Sequence, residues 1–398
     1  FEELFGPIPP VPPFLPESRL ISISSIQIFT IDNLCVHYNN SEGMSFVLPA
    51  LLAAVAVFSA FYFHSQTSTR RSFSTKDRLD YIKWKTEFGR LYATPAEDNF
   101  RMGVFIDQRD FVSQSNENYN SKMLERGKVL SEPMFALNQF GDLTDEEFTS
   151  MYTGLSQKSS SLPLVELPKN RLRSSHKHRR LQQNPSQFEL RIRAQGSCGS
   201  CWAFSTILMT EKHYFDEHRT QLDFSQQELV DCDQGNDGCV GGTPEIAINY
   251  LIEHGIALAS EYPYITSAGA CRRDQTSRVT VNVKPMKELY PFHIKAAASI
   301  VEAGGIAGIA VYSTGKFRYL TNSSEPYDAS IGGECGKLVN HAINLHEANP
   351  DTMVVNVINS WGTKWAVKGT KKIKVCSEEN VLGEHGRIMT VLGDEDDE

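Results

Sequence analysis

Gln195-Gly196-Ser197-Cys198-Gly199-Ser200-Cys201-Trp202-Ala203-Phe204 sets a thiol just before a helical pattern, with a side-chain amide six residues upstream. From Trp202 onward the apolar residues Phe204, Ile207, Leu208 and Phe215 recur at helical spacing, with Glu211 and Lys212 between them. This predicts a helix with one face against a core. Cys201 would then stand at the helix tip, where unpaired N–H groups present partial positive charge and favour the thiolate, the nucleophilic form. Two blander readings exist, because Cys198 and Cys201 also form a Cys-x-x-Cys: a redox dithiol, or half of a zinc site. A zinc site would need a second pair at ligand spacing, and Cys232 and Cys239 are too far apart for one. No metal or cofactor is expected.

The run from Cys198 to Trp202 resembles, place for place, the segment around the nucleophile of papain-like cysteine proteases of the cathepsin L type. That family draws its proton shuttle from a His about 130–150 residues further on and fixes the ring with an Asn beyond it. Here His341, in Asn340-His341-Ala342, lies 140 residues after Cys201, and Asn359-Ser360-Trp361-Gly362 resembles the family's Asn-Ser-Trp-Gly. The resemblance implies a triad of Cys201 as nucleophile, His341 as general acid/base and Asn359 as orienter, with thiol and imidazole present as a thiolate–imidazolium pair and Trp361 shielding the His–Asn bond. It implies that Gln195 donates to the developing oxyanion, so that Gln195→Ala cripples turnover without unfolding the protein. Gly241 and Gly242 would form an open ledge on which an extended substrate pairs by its main chain, although Gly-Gly alone is equally a turn. Val240, Thr243, Pro244 and Ala342 would lie near the main specificity pocket and suggest an apolar side chain. The family pattern pairs Cys198 with Cys239 and Cys232 with Cys271. Cys335 matches the start of a third bridge; the position expected of its partner holds His385, and Cys376 is what the chain offers instead. Ser225 and Glu228 have capping-box spacing.

Upstream, Glu97, Arg101, Phe105, Gln108, Val112 and Asn116 are spaced 4, 4, 3, 4 and 4, which puts all six on one helical face. With Asn138-Gln139-Phe140-Gly141-Asp142 and the aromatic residues Trp84 and Tyr92, they resemble the inhibitory propeptide (I29) of cathepsin L type enzymes. This implies a zymogen whose propeptide runs backwards through the cleft and detaches when acid protonates its carboxylates, Asp142 being one candidate switch.

The whole chain has 398 residues, more than one typical domain, and its 40% hydrophobic and 22% charged residues are a globular composition. The net charge of −9 argues against a nucleic-acid partner. Eight cysteines suit an oxidising compartment. The expected division is 1–43 unassigned, with Met44 a candidate start; 44–65 a signal peptide or signal anchor; 78–152 a propeptide; 153–182 a basic processing linker; 183–393 the peptidase domain; and 394–398 an acidic tail. The uncharged run Phe46 to Phe63 reads as a signal in preference to an anchor, and a membrane enters only if it stays uncleaved. The expected fold is α+β, in two domains: helical with Cys201, and β-barrel-like with His341 and Asn359. The expected protein is a secreted or lysosomal/vacuolar cysteine endopeptidase precursor that acts on polypeptides and is open to cystatin-like inhibitors. The rival is a catalytically impaired homologue that acts by binding peptides or inhibitors, suggested by the altered stretch Asn344 to Pro350.

Overall fold

The computed structural model describes residues 72–156, 187–283 and 290–391, apart from the side chains of Tyr290 and Pro291. The apolar run 46–63, residues 157–182 of the basic linker and the acidic tail lie outside the described residues.

The N-terminal part is a helical hairpin with a short third helix. Helix α1 (Thr75–Phe88) starts with a reciprocal capping box between Ser74 and Asp77 and stops at Gly89, whose φ of 62° suits a residue without Cβ. Helix α2 (Pro95–Glu125) has Thr94 as N-cap and Pro95 in its first turn. Helix α3 (Asp145–Tyr152) opens with a second capping box, Thr144 with Glu147. Tyr81, Trp84, Met102, Phe105 and Ile106 give this part a small core of its own.

The expected six-residue face of α2 is formed, and it works as a docking edge. Asn116 both donates to the Phe135 carbonyl (2.8 Å) and accepts from its N–H (3.0 Å). Gln108 accepts from Arg318 and from Tyr319 (2.8 and 3.0 Å), and Arg101 pairs with Glu147 at 2.6 Å. Asp142 bonds Tyr92 (2.7 Å) and faces Arg90 (3.4 Å). Its carboxylate therefore braces the N-terminal part internally. The carboxylate that reaches across is Asp145, on Arg318 at 2.5 Å.

The remainder forms two lobes. The helical lobe packs α4 (Cys201–His218), α5 (Gln226–Cys232) and α6 (Pro244–His254) around Trp202, Ile207, Leu229, Ile248 and Tyr262. The second lobe is a seven-stranded sheet, in spatial order β1 (Tyr290–Pro291), β7 (Arg387–Met389), β2 (Ala307–Val311), β4 (His341–Asn349), β5 (Val354–Ile358), β6 (Thr370–Lys374) and β3 (Tyr327–Asp328). Pairing is antiparallel except between β3 and β6. The altered stretch after His341 builds β4 nonetheless, with a register shift between Leu345 and Glu347. Its core is continuous with the N-terminal part, because Val112, Tyr119, Phe135, Phe140 and Phe148 join Tyr319, Tyr327, Ile343, Trp361 and Trp365 in one cluster.

Two local expectations change. The first eleven residues of α4, Cys201 to Glu211, are buried on every side, not on one face. The helix runs between the lobes, with Asn344 of β4 donating to the Ser205 carbonyl (3.1 Å) and Glu211 held by Arg193 (2.7 Å). Ser225 does accept from the Glu228 N–H (3.0 Å). The Glu228 carboxylate, however, turns to Tyr250 and the Ala257 N–H (2.9 and 2.8 Å) instead of closing the box.

Candidate active site

Cys201 is the first residue of α4, and Ser200 before it makes no side-chain cap, so the helix's leading N–H groups face the thiol's surroundings. Cys198 is bonded to Cys239, Cys232 to Cys271 and Cys335 to Cys376. Cys201 is the free cysteine among the described residues. The Cys198–Cys239 bridge removes the redox-dithiol reading of Cys198 and Cys201, and no cluster of metal-ligating side chains occurs among the described residues.

Across the cleft, β4 begins with His341. Its Nε2 meets the Asn359 side-chain oxygen at 2.9 Å, and the ring lies over Trp361 with centroids 4.8 Å apart and planes 23° from parallel. The next residue, Ala342, donates its N–H to the Cys201 sulfur at 3.4 Å. The imidazole and the carboxamide thus meet directly, and the sulfur lies against the main chain of the residue after His341; the three come from a strand start, a loop and a helix.

Gln195 is fully buried beside them. Its side chain accepts from the Ser360 hydroxyl (2.7 Å) and donates to the carbonyls of Cys198 (2.9 Å) and Tyr152 (3.3 Å). Its own carbonyl accepts from Tyr264, whose hydroxyl also meets Ser200 (both 2.7 Å). Sequence reasoning missed Ser360 and Tyr264 as supports. Ser360 lies inside the Asn359-Ser360-Trp361-Gly362 stretch, so a signal for it was present.

The N-terminal part covers this centre. Trp361 donates its indole N–H to the Tyr152 carbonyl (3.2 Å). The N–H groups of Gly154 and Leu155 go to the Asn340 carbonyl (3.1 and 3.0 Å), and Leu155 bridges in parallel to Gly242. The close fit depends on glycine: a Cβ on Gly154 would strike the Gly199 carbonyl, and one on Gly241 would come 2.7 Å from the Gly154 carbonyl. The ledge of Gly241 and Gly242 thus carries a main-chain segment of this same chain. Thr243 and Pro244 follow as N-cap and first residue of α6, and Thr243 is tied through its N–H to Asn236 (2.7 Å). Thr243, Pro244 and Ala342 are all buried.

The covered form differs in ionisation from the charged pair expected of the working enzyme. With water excluded, burial pushes the Cys201 thiol up to about 12, against the smaller lowering effect of the N–H groups of Ala342, Trp202 and Cys201. Burial likewise takes His341 down to about 4, its bond to Asn359 offsetting only part. His341 Nδ1 finds no hydrogen-bond partner among the described residues. In the covered form the two groups are a neutral thiol and a neutral imidazole.

Arg318 escaped sequence reasoning altogether, since nothing marks a lone arginine. It is fully buried, pairs with Asp145 at 2.5 Å and lies over Phe148 at 4.9 Å, making it the charged anchor for α3.

A thiol at a helix start, an Asn-held imidazole on the facing lobe and a helical cover through the cleft define a class, the precursors of two-lobed cysteine peptidases. The family profile "Papain family cysteine protease" matches residues 182–388, and "Cathepsin propeptide inhibitor domain (I29)" matches residues 81–148. A cathepsin L-like proteinase of Fasciola hepatica is 30% identical over 301 residues, covering 72% of this chain and 85% of the relative. A senescence-specific cysteine protease of Arabidopsis thaliana is 29% identical over 338 residues, covering 80% and 91%. Among solved structures, digestive procathepsin L 3 of Tenebrio molitor larval midgut superposes with a TM-score of 0.60 at 23% identity, over 80% of this chain and all of that one, a likeness of fold. The chain belongs to the papain family of cysteine proteases and carries the family's propeptide inhibitor domain.

Proposed function

We propose that this chain is the zymogen of a cysteine endopeptidase that hydrolyses peptide bonds through Cys201, His341 and Asn359, with Gln195 as oxyanion donor. The carrying observation is the 2.9 Å His341–Asn359 bond beneath Trp361, with the Cys201 sulfur against the N–H of the residue after His341. Asn359 accepts from Nε2, which leaves Nδ1 as the ring atom free to exchange a proton with the thiol and the leaving amine. In the uncovered enzyme the Cys201 sulfur attacks the substrate carbonyl while its proton resides on Nδ1. The carbonyl electrons collect on oxygen facing Gln195 Nε2 and the Cys201 N–H, and the amine leaves with the proton from His341. Water, deprotonated by His341, then cleaves the acyl-thioester and returns the thiol. Gly241 and Gly242 pair with the substrate main chain, and Thr243, Pro244, Ala342 and Trp361 border its side chains.

In the precursor the Tyr152 carbonyl takes Gln195 Nε2 and Leu155, just inside the linker, pairs with the ledge, which supports the propeptide (residues 78–152 in our division) together with the start of the linker as intramolecular inhibitor. Three disulfides support a route through the secretory pathway to a lysosome, a vacuole or the exterior, with cystatin-like proteins as inhibitors. The test is acid-triggered maturation of purified precursor, wild type against Cys201→Ala. Fluorogenic-peptide cleavage should appear only with the thiol, and equal cleavage by both proteins would overturn the assignment.

A further inference from the structure

The peptidase reading leaves one motif unused, Asn322-Ser323-Ser324, an Asn-x-Ser acceptor pattern. Such a tripeptide is meaningful only where the fold presents it, and here the presentation is specific. Asn322 and Ser324 are exposed, while Ser323 between them is buried. The buried Lys371 of β6 donates to the carbonyls on either side of Asn322, those of Thr321 (3.3 Å) and Ser323 (2.7 Å). The Thr321 hydroxyl further accepts from the Ser323 N–H (3.3 Å). The main chain is thus pinned inward at both flanks, and the carboxamide of Asn322 and the hydroxyl of Ser324 point to solvent. The loop also holds the seam with the propeptide: the Thr321 N–H donates to the Met134 carbonyl (3.0 Å) and its hydroxyl to the Pro133 carbonyl (2.8 Å). Asn322 stays exposed with that seam closed, so a bulky substituent there fits the precursor as it stands.

We propose that Asn322 is an N-glycosylation site, taking a preassembled oligosaccharide from a lipid diphosphate donor. Its carboxamide Nδ2 bonds C1 of the sugar, the C1–O bond to the diphosphate breaks, the lipid diphosphate leaves with the electron pair, and the carboxamide proton passes to solvent. The oligosaccharide then stands on the catalytic part, beside the Pro133–Phe135 contact, and stays with the enzyme when the propeptide is removed. This rests on the secretory route proposed above, because the donor is met only there.

The experiment is expression of the full chain in eukaryotic cells, with treatment by a peptide N-glycosidase, which hydrolyses the glycosyl-amide bond, and site-resolved mass spectrometry; the latter separates Asn322 from the other acceptor pattern, Asn39-Asn40-Ser41. The expected result is a mobility shift on deglycosylation, with Asn322 converted to Asp. N322Q and S324A should each lose the Asn322 glycopeptide, and S324A leaves the asparagine itself untouched. Mature N322Q should cleave short fluorogenic peptides at the wild-type rate. Disulfide content, read by non-reducing electrophoresis, reports the compartment independently. A chain with its three disulfides formed and Asn322 unmodified overturns this proposal and leaves the peptidase reading standing. A chain that is both reduced and unmodified overturns it together with the secretory route.

Discussion

Phe148→Ala tests how the precursor is kept silent. Phe148 is fully buried, with ring centroids 5.1 Å from Phe140, 5.6 Å from Tyr152 and 5.3 Å from Trp361, and with the Arg318 guanidinium 4.9 Å from its own. Truncating such a phenylalanine costs about 3–5 kcal/mol. Two of its four neighbours, Trp361 and Arg318, lie on the catalytic part. About half the loss, roughly 1.5–2.5 kcal/mol, should therefore weaken the grip of the cover and not its internal fold, which is roughly 10- to 70-fold in the closed-to-open ratio. The assay is the rate at which an epoxide thiol reagent labels Cys201 in intact precursor at neutral pH, since only open molecules expose the sulfur. Phe148→Ala should be labelled faster by that factor, and truncation of the exposed Ile82 on α1 should change nothing. A variant that melts earlier but is labelled at the wild-type rate would refute the argument, because the ring would then serve the N-terminal part alone.

Gln195→Ala should lower turnover by roughly 100- to 1,000-fold. It should also cost stability, contrary to the expectation from sequence, because the buried Ser360 hydroxyl and Cys198 carbonyl lose partners worth about 1–3 kcal/mol each; thermal melting and kinetics of one preparation separate the two effects. Replacing Cys335 and Cys376 together by Ser opens a bridge spanning 41 residues and should destabilise the enzyme by roughly 2–4 kcal/mol in chemical denaturation. Ala366 holds a left-handed φ of 46°, where a residue without Cβ is unstrained, so Ala366→Gly should stabilise by about 1 kcal/mol by the same measurement. His341 is depressed to about 4 in the covered form, so its contribution to closure is present above the ordinary histidine value of 6.5 and lost as pH falls through 4. Cys201 labelling in precursor carrying His341→Gln should accelerate less between pH 7 and 4 than in wild type.

Much of this was legible because the chemistry is written locally. The helix beginning at Cys201 and the single face of α2 follow from spacing that needs no tertiary information. The chain positions that converge on Cys201 were legible only through resemblance, since nothing in Asn340-His341-Ala342 itself says which strand will carry it to a helix 140 residues away. What stayed hidden depends on partners far apart in sequence. Arg318 matters because Gln108 and Asp145 arrive beside it, and Glu228 abandons its capping box because Tyr250 and Ala257 offer a drier partner set. The ionisation of the covered site stayed hidden for the same reason: a helix tip favours a thiolate, but the segment that dries the tip is nearly fifty residues upstream.

The cover therefore silences the site in two separable ways. It occupies the substrate's main-chain contacts, through Leu155 on Gly242 and the Tyr152 carbonyl on Gln195 and Trp361. It also removes the solvent that would stabilise a charged pair, leaving the thiol at about 12 and the imidazole at about 4. The second effect is thermodynamically linked to the first. Depressing His341 from 6.5 to about 4 costs about 3 kcal/mol when the ring must be charged, and by reciprocity protonation favours the open form by up to that amount. A competitive peptide that occupied the ledge but left the ring hydrated would block substrate without this pH dependence. Acid sensitivity of closure is thus a property of burial at His341.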